Sequence, residues 1–194
     1  MILVLGTRNE GKLAELVDLL SGIPGLELRT FRNCPFRPVE ETGETFLENA
    51  ALKARGVSAE TGLPVLAEDA GLEVTALDGA PGVRSARFAG LPVDPSRNNA
   101  LLLEKLSGVT DRRARFVTVA VLRLPDGREY SRHGILEGRI TETARGEGGF
   151  GYDPLFVPQG ATRTLAEMTV EEKNRLSHRR RAIDGVREIL KALP

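Results

Sequence analysis

The chain has 194 residues, 27 acidic and 27 basic side chains, a formal net charge of zero and a single cysteine. That length suits one domain with a substantial core, and the balanced charge argues against nucleic acid or membrane as partner. Cys34 alone excludes an internal disulfide, no long apolar stretch is present, and Met1 leads straight into a core strand, so a soluble, cytoplasmic protein without a signal peptide is expected.

Met1-Ile2-Leu3-Val4-Leu5 reads as a strand, Gly6 to Lys12 as a polar loop, and Leu13, Leu16, Val17 and Leu20 as the apolar stripe of a helix. Backbone N–H groups at such a helix start are unpaired, and the helix dipole favours an anion there. With Lys12 beside them, the natural guest is a phosphate. The stretch matches the G-x-x-x-x-G-K part of the P-loop, but Leu13 stands where that motif needs a hydroxyl for Mg²⁺. On these residues alone, a plain strand-to-helix turn accounts for the pattern as well as a phosphate loop does.

Leu26 to Phe31 alternates like a strand. Thr45-Phe46-Leu47-Glu48 has the capping-box pattern and opens a helix through Lys53 to about Glu60, stopped by Gly62. Leu63 to Ala67 reads as a buried strand, and Leu101 to Leu106 as helical. Phe116 to Leu124 is a long apolar strand that turns at Pro125-Asp126-Gly127 into a second strand, through about Leu136. Thr169-Val170-Glu171-Glu172 is another capping box, opening one C-terminal helix with a core stripe of Leu176, Ile183, Val186 and Leu190. Strands mixed with helices, plus one hairpin, argue for an α/β fold with a mixed sheet.

Two acidic clusters stand out. Glu40-Glu41-Thr42-Gly43-Glu44 precedes the capped helix, where acids are ordinary dipole partners. Glu68-Asp69 directly follows the apolar strand, and open α/β sheets collect ligands beyond the carboxyl ends of strands. Mg²⁺ usually takes one or two carboxylates and fills its shell with waters and substrate phosphate. One acid from each cluster would supply the ligands that Leu13 cannot. Lys53 lies between the clusters; its default reading is a solvated helix lysine, the alternative a phosphate contact.

Gly146 to Pro154 holds four glycines and two of the chain's nine aromatics, seven Phe and two Tyr. Glycine lets backbone approach a ligand or take positive φ. Phe150 and Tyr152 offer flat faces to a base, and Asp153 can accept from a ring N–H; the bland alternative is a tight loop with its aromatics in the core. Lys173 and Ser177, four apart, share one side of a helix. His178 can donate to a carbonyl and Arg179 can make a planar forked contact, although a basic run such as Arg179-Arg180-Arg181 is usually a solvated face. Arg84 and Arg87 read as surface charges, and Cys34 as an incidental thiol, since only two histidines exist to activate it.

Taken in order, Thr7-Arg8-Asn9-Glu10-Gly11-Lys12, Glu40-Glu41-Thr42-Gly43, Phe46-Leu47-Glu48-Asn49-Ala50, Lys53-Ala54-Arg55, Glu68-Asp69-Ala70-Gly71-Leu72, Gly79-Ala80-Pro81-Gly82-Val83, Ser85-Ala86-Arg87, Gly148 to Pro154, Glu171-Glu172-Lys173 and Ser177-His178-Arg179 make a specific set. It resembles the inosine triphosphate pyrophosphatase family, also called Ham1-like or dITP/XTP pyrophosphatases, from residue 2 to about 190. The resemblance implies hydrolysis of ITP, dITP and XTP to monophosphate and pyrophosphate, which keeps them out of nucleic-acid precursor pools. It also implies Mg²⁺ dependence, a homodimer, and a single elongated α/β domain with its active site in a cleft between two lobes. By position it assigns Thr7, Arg8, Asn9, Glu10, Gly11 and Lys12 to the triphosphate, Glu40 and Asp69 to Mg²⁺, and Asp69 to proton acceptance from the attacking water. Phe150, Gly151, Tyr152, Asp153, Lys173, His178 and Arg179 fall on substrate contacts, chiefly to the base, and Lys53 on a phosphate contact. Ala70 departs from the pattern, since many relatives place Ser there; a hydroxyl contact is lost and a backbone N–H contact retained.

Two rivals remain at this point. A nucleotide- or nucleic-acid-binding module that hydrolyses nothing suits the basic patch at residues 178–181, but not the zero net charge or the acidic clusters. A house-cleaning pyrophosphatase acting on modified pyrimidines would share the phosphate chemistry and differ in its base pocket.

Overall fold

The structure, a computed structural model, describes residues 1–193. Six strands form one sheet: β1 (Ile2–Leu5), β2 (Glu27–Arg29), β3 (Val65–Val74), β4 (Arg113–Arg123), β5 (Glu129–Ile140) and β6 (Phe156–Pro158), in the order β2-β1-β3-β4-β5-β6. β1 runs parallel to β2 and β3, whereas β5 and β6 are antiparallel, so the sheet is mixed. Five α-helices accompany it: α1 (Glu10–Leu20), α2 (Phe46–Thr61), α3 (Pro95–Lys105), α4 (Val170–Leu176) and α5 (His178–Ala192). Chain contacts divide the described residues into two compact units, the first comprising residues 1–69, 118–134 and 179–193, the second 70–117 and 135–178.

In the first unit the pleat of the sheet sorts side chains between two helical layers. Leu3, Leu5 and Leu66 pack with Leu13, Leu16, Leu19 and Leu20 of α1 and with Ile183, Val186 and Leu190 of α5. Val4, Val65 and Ala67 face the other way, onto Ala50, Ala51, Ala54 and Val57 of α2. The small residues of α2 let that helix sit close to the sheet. Its start carries the expected capping box, Thr45 with Glu48, and its end is capped by Gly62 in the left-handed region (φ 67°). Three readings of the sequence need correction here. Val17 is 41% exposed and Leu19 takes its place in the core. The second strand shrinks to the three residues Glu27–Arg29. β3 does not stop at Ala67 but runs ten residues through Glu68 and Asp69. β1 ends first, its last pairing being Leu5 with Leu66, so the two acids lie beyond the carboxyl end of β1 rather than of their own strand.

The second unit has its own core, in which Leu72 and Val74 of β3 meet Leu102 of α3, Leu106 just past its end, Phe116 of β4, Leu136 and Ile140 of β5, and Tyr152, Leu155 and Phe156. A further correction falls at the C-terminal end. Thr169 and Glu172 do form a capping box, but the helix they open ends at Leu176. Ser177 takes extended backbone angles (φ −63°, ψ 148°), which cannot propagate a helical turn, and a new helix begins at His178. Leu176, last in a short helix, is 38% exposed, while Ile183, Val186 and Leu190 are buried as expected.

Candidate active site

The first unit presents a loop, a charge network and an acidic segment. Gly6 leaves β1 with its N–H donated to the Leu66 carbonyl (2.8 Å), and a Cβ on it would lie 3.0 Å from Val65 and 3.1 Å from Ala67. The loop is therefore held tight against β3. Asn9 caps α1: its side-chain oxygen accepts the Lys12 N–H (3.0 Å), while its own N–H donates to the Thr7 hydroxyl (3.2 Å). Thr7 is buried, whereas Arg8, Asn9 and Glu10 are exposed. One of the four orphan N–H groups of the helix start is thus satisfied internally, and the others, with Lys12, are available to an anion.

Lys12 Nζ lies 3.6 Å from Glu68 Oε1. Both Glu68 carboxylate oxygens accept from Arg179 Nε (2.9 and 2.8 Å), and Arg179 Nη1 donates to Glu15. Glu68, Arg179 and Glu15 are all buried, Arg179 to 2% exposure. Burial alone pushes the Glu68 carboxyl up; the Arg179 and Lys12 charges outweigh it and hold the carboxyl below its usual range. Lys12 moves down from its ordinary value, because burial and the neighbouring Lys53 and Arg179 charges exceed the help from Glu68. Arg179 stays fully cationic between its two carboxylates. Lys12, Arg179, Glu68 and Glu15 together form a neutral buried set.

Asp69 points to the opposite face, toward α2. Its oxygens accept from Asn49 Nδ2 (3.3 Å) and Lys53 Nζ (3.3 Å), and Lys53 also pairs with Glu41 (3.1 Å). Asn49 further clamps Gly43, accepting its N–H at 2.8 Å and donating to its carbonyl at 3.3 Å. A Cβ on Gly43 would sit 2.6 Å from Glu48 Cβ and 2.8 Å from Asn49 Oδ1, so only glycine lets the acidic segment approach α2 this closely. The two acidic clusters separated in sequence therefore meet in space. Burial raises the Asp69 pKa, and Glu41 adds to the rise, against Lys53, Lys12 and the Asn49 hydrogen bond. A cation bound beside Asp69 would oppose that rise. Among the described residues no group of three or more His, Cys, Asp or Glu side chains is placed to hold a metal. Two carboxylates, Asp69 and one from the 40–41 pair, still meet the usual protein share of a Mg²⁺ shell. Glu40 is exposed, and Glu41 is the one paired with Lys53.

The second unit holds the remaining candidates. Asp153 is buried; its Oδ2 accepts the Phe150 N–H (2.9 Å) and Lys173 Nζ (2.7 Å). Lys173 Nζ also lies 4.5 Å from the Phe150 ring centre, a cation–π distance. Gly149 is left-handed (φ +71°), and a Cβ there would collide with Asp153 Oδ2, so the glycine is required twice over. Tyr152 lies in the core, its hydroxyl donating to the Ser85 carbonyl (2.9 Å), so its ring serves packing in this structure. His178 stacks on Phe116 with ring centres 4.9 Å apart and planes 11° from parallel. Ala70 is half-buried, and Ser177 ends α4 rather than sharing a helix face with Lys173.

Several participants are not readable as such in the sequence. Glu15 lies on α1 three positions past Lys12, and its charge looks no different in sequence from that of Asp18 on the same helix. Asn49 interrupts the small apolar face of α2. Glu41 belongs to the first acidic cluster, but nothing in the sequence marks it rather than Glu40 as the partner of Lys53.

A mixed sheet flanked by helices, with a strand–loop–helix turn, a buried carboxylate set beside it and a glycine-rich aromatic loop, defines the class: an α/β protein. The profile of the Ham1 family matches residues 3–189, and the chain belongs to that family. It is 54% identical over 180 residues to the dITP/XTP pyrophosphatase of Deinococcus deserti, covering 93% of this chain and 85% of that protein. It is 50% identical to a dITP/XTP pyrophosphatase of Thermus thermophilus, covering 100% of this chain and 94% of that one. Among solved structures, a HAM1 protein from Coxiella burnetii superposes with a TM-score of 0.91 at 38% identity, covering 100% of both chains.

Proposed function

We propose that the chain hydrolyses non-canonical purine nucleoside triphosphates, dITP, XTP and ITP, to the monophosphate and pyrophosphate. The observation that carries this is Asp69: buried, raised in pKa, and gripped by Asn49 and Lys53 beside the acidic segment. A carboxylate with a raised pKa is a better general base. In this reading Asp69 takes a proton from water as the water oxygen bonds to the α-phosphorus, and the bond to the bridging oxygen breaks to release pyrophosphate. Lys12, Lys53 and the N–H groups at the start of α1 offset the polyphosphate charge, the main source of rate in phosphoryl transfer. Glu40 and Asp69 would hold Mg²⁺, which adds charge neutralisation when bound. The names of the relatives support the substrate class.

Base choice is assigned to the second unit. Hypoxanthine and xanthine carry a carbonyl at position six where adenine has an amino group. A donor such as His178 or a loop N–H rewards the carbonyl and opposes the amino group; each mismatch costs about 1–3 kcal/mol. A homodimer and a cytoplasmic setting belong to the same reading, supported by family resemblance, and no described helix is long and apolar enough to cross a membrane. The test is pyrophosphate release over all common and deaminated nucleotides, with Mg²⁺ and with chelator. Release confined to the deaminated purines and lost with chelator is the expected result; equal release from ATP, or release only from modified pyrimidine nucleotides, overturns it.

A further inference from the structure

The glycine-rich loop is tied to α3 by a contact that the functional reading leaves unused. Asn99 Nδ2 donates to the Gly151 carbonyl at 3.1 Å, across 52 residues of sequence. Gly151 is left-handed (φ +63°) with open space where a Cβ would stand, so its backbone conformation, not crowding, demands glycine. A peptide plane flanked by such a residue turns easily unless one of its polar groups is held. The plane is rigid, so fixing the Gly151 carbonyl also fixes the Tyr152 N–H on its opposite edge. Among the described residues that N–H has no hydrogen-bond partner. The rest of the loop is braced nearby: the Tyr152 hydroxyl donates to the Ser85 carbonyl, which Asn98 Nδ2 also reaches at 3.4 Å. Meanwhile the Asn99 Oδ1 is buried without a hydrogen-bond partner, so this amide is not placed for its own stability.

We propose that Asn99 is a positioning residue for base selection: by holding the Gly151 carbonyl it aims the Tyr152 N–H as a donor for the six-carbonyl of a deaminated purine. The inference rests on the pyrophosphatase reading and deepens it. Asn99→Asp keeps the shape, removes the donor and sets a carboxylate against the carbonyl; Asn99→Gln keeps an amide donor. For Asn99→Asp, KM for ITP rises about five- to tenfold with kcat within about twofold, the scale of one neutral hydrogen bond. The ITP-over-ATP ratio of kcat/KM falls about fivefold, and Asn99→Gln restores most of it. If Asn99→Asp does not fold, Asn99→Ala, on a half-buried helix position, is read the same way. The wild-type panel comes first: no pyrophosphate release from ITP or XTP overturns the functional reading and this inference with it. Wild-type release with KM and the ITP-over-ATP ratio unchanged in the variants, whatever their melting temperatures, overturns this inference alone.

Discussion

Replacing Glu68 with Gln isolates the buried charge set. The side chain keeps its volume, but Arg179 loses the carboxylate that accepts both Nε contacts at 2.9 and 2.8 Å, and Lys12 loses the anion at 3.6 Å. The set of Lys12, Arg179, Glu68 and Glu15 then changes from neutral to one net positive charge, with Arg179 still 2% exposed. Breaking a buried pair from one side costs about 3–5 kcal/mol. At about 2–4 °C per kcal/mol for a chain of this size, the melting temperature falls by about 6–20 °C. Removing the partner as well, in Glu68→Gln with Arg179→Met, recovers part of the loss, because the uncompensated buried cation is gone. The pH dependence has a fixed sign. Glu68 titrates lower folded than unfolded, so its contribution is full above the ordinary carboxylate value of about 4.3 and fades as pH falls through the folded value. The gap between parent and variant must therefore narrow in acid. Thermal unfolding by circular dichroism at pH 7 and about pH 3.5, just below that ordinary value, with pyrophosphate titrations at pH 7, reads all of this. A Glu68→Gln protein melting within about 2 °C of the parent at pH 7 refutes the reasoning.

Asp69→Asn abolishes pyrophosphate release from ITP while leaving nucleotide affinity largely intact, measured by calorimetry; near-parental release defeats its role as base. His178→Ala, which removes the ring stacked on Phe116, narrows the preference for ITP over ATP, and an unchanged ratio of specificity constants removes His178 from base reading. Gly149→Ala forces a Cβ into a left-handed position (φ +71°) and against Asp153 Oδ2, at a cost of about 2–5 kcal/mol in denaturant unfolding. A loss under about 1 kcal/mol would show that the loop yields freely.

Local chemistry is the most legible part of the sequence. The capping boxes at Thr45 and Thr169 appear as written, because their hydrogen bonds involve only four consecutive residues. The Gly62 stop is readable for the same reason, while the long strands and the mixed α/β class follow from runs of apolar residues along the chain. What fails depends on partners distant in sequence. Val17 fits the helical stripe by hydropathy, but α5 and the sheet leave it outside their contact, and Leu19 lies within it. Ser177 interrupts what periodicity reads as one helix. Sequence reading cuts β3 short at Glu68 and Asp69, since acids signal a strand's end unless something neutralises them, and the neutralising groups, Arg179 and Lys53, arrive from 111 residues downstream and 16 upstream. At the site, sequence brings forward the loop, Lys12, Lys53 and Asp69. It misses Glu15 and Asn49, whose importance lies wholly in what they touch.

Because β3 continues through the acid pair, consecutive side chains alternate faces: Leu66 and Glu68 look toward α1 and α5, Ala67 and Asp69 toward α2. Odd and even positions thus meet separate partners, the even ones on α1 and α5 and the odd ones on α2. Gain of one residue just before Glu68 would exchange the faces of the two acids, turning Asp69 toward Arg179 and Glu68 toward α2. Spacing is therefore constrained in this stretch alongside the identity of its two acids, and a library that varies the neighbouring side chains should outperform one that permits insertions.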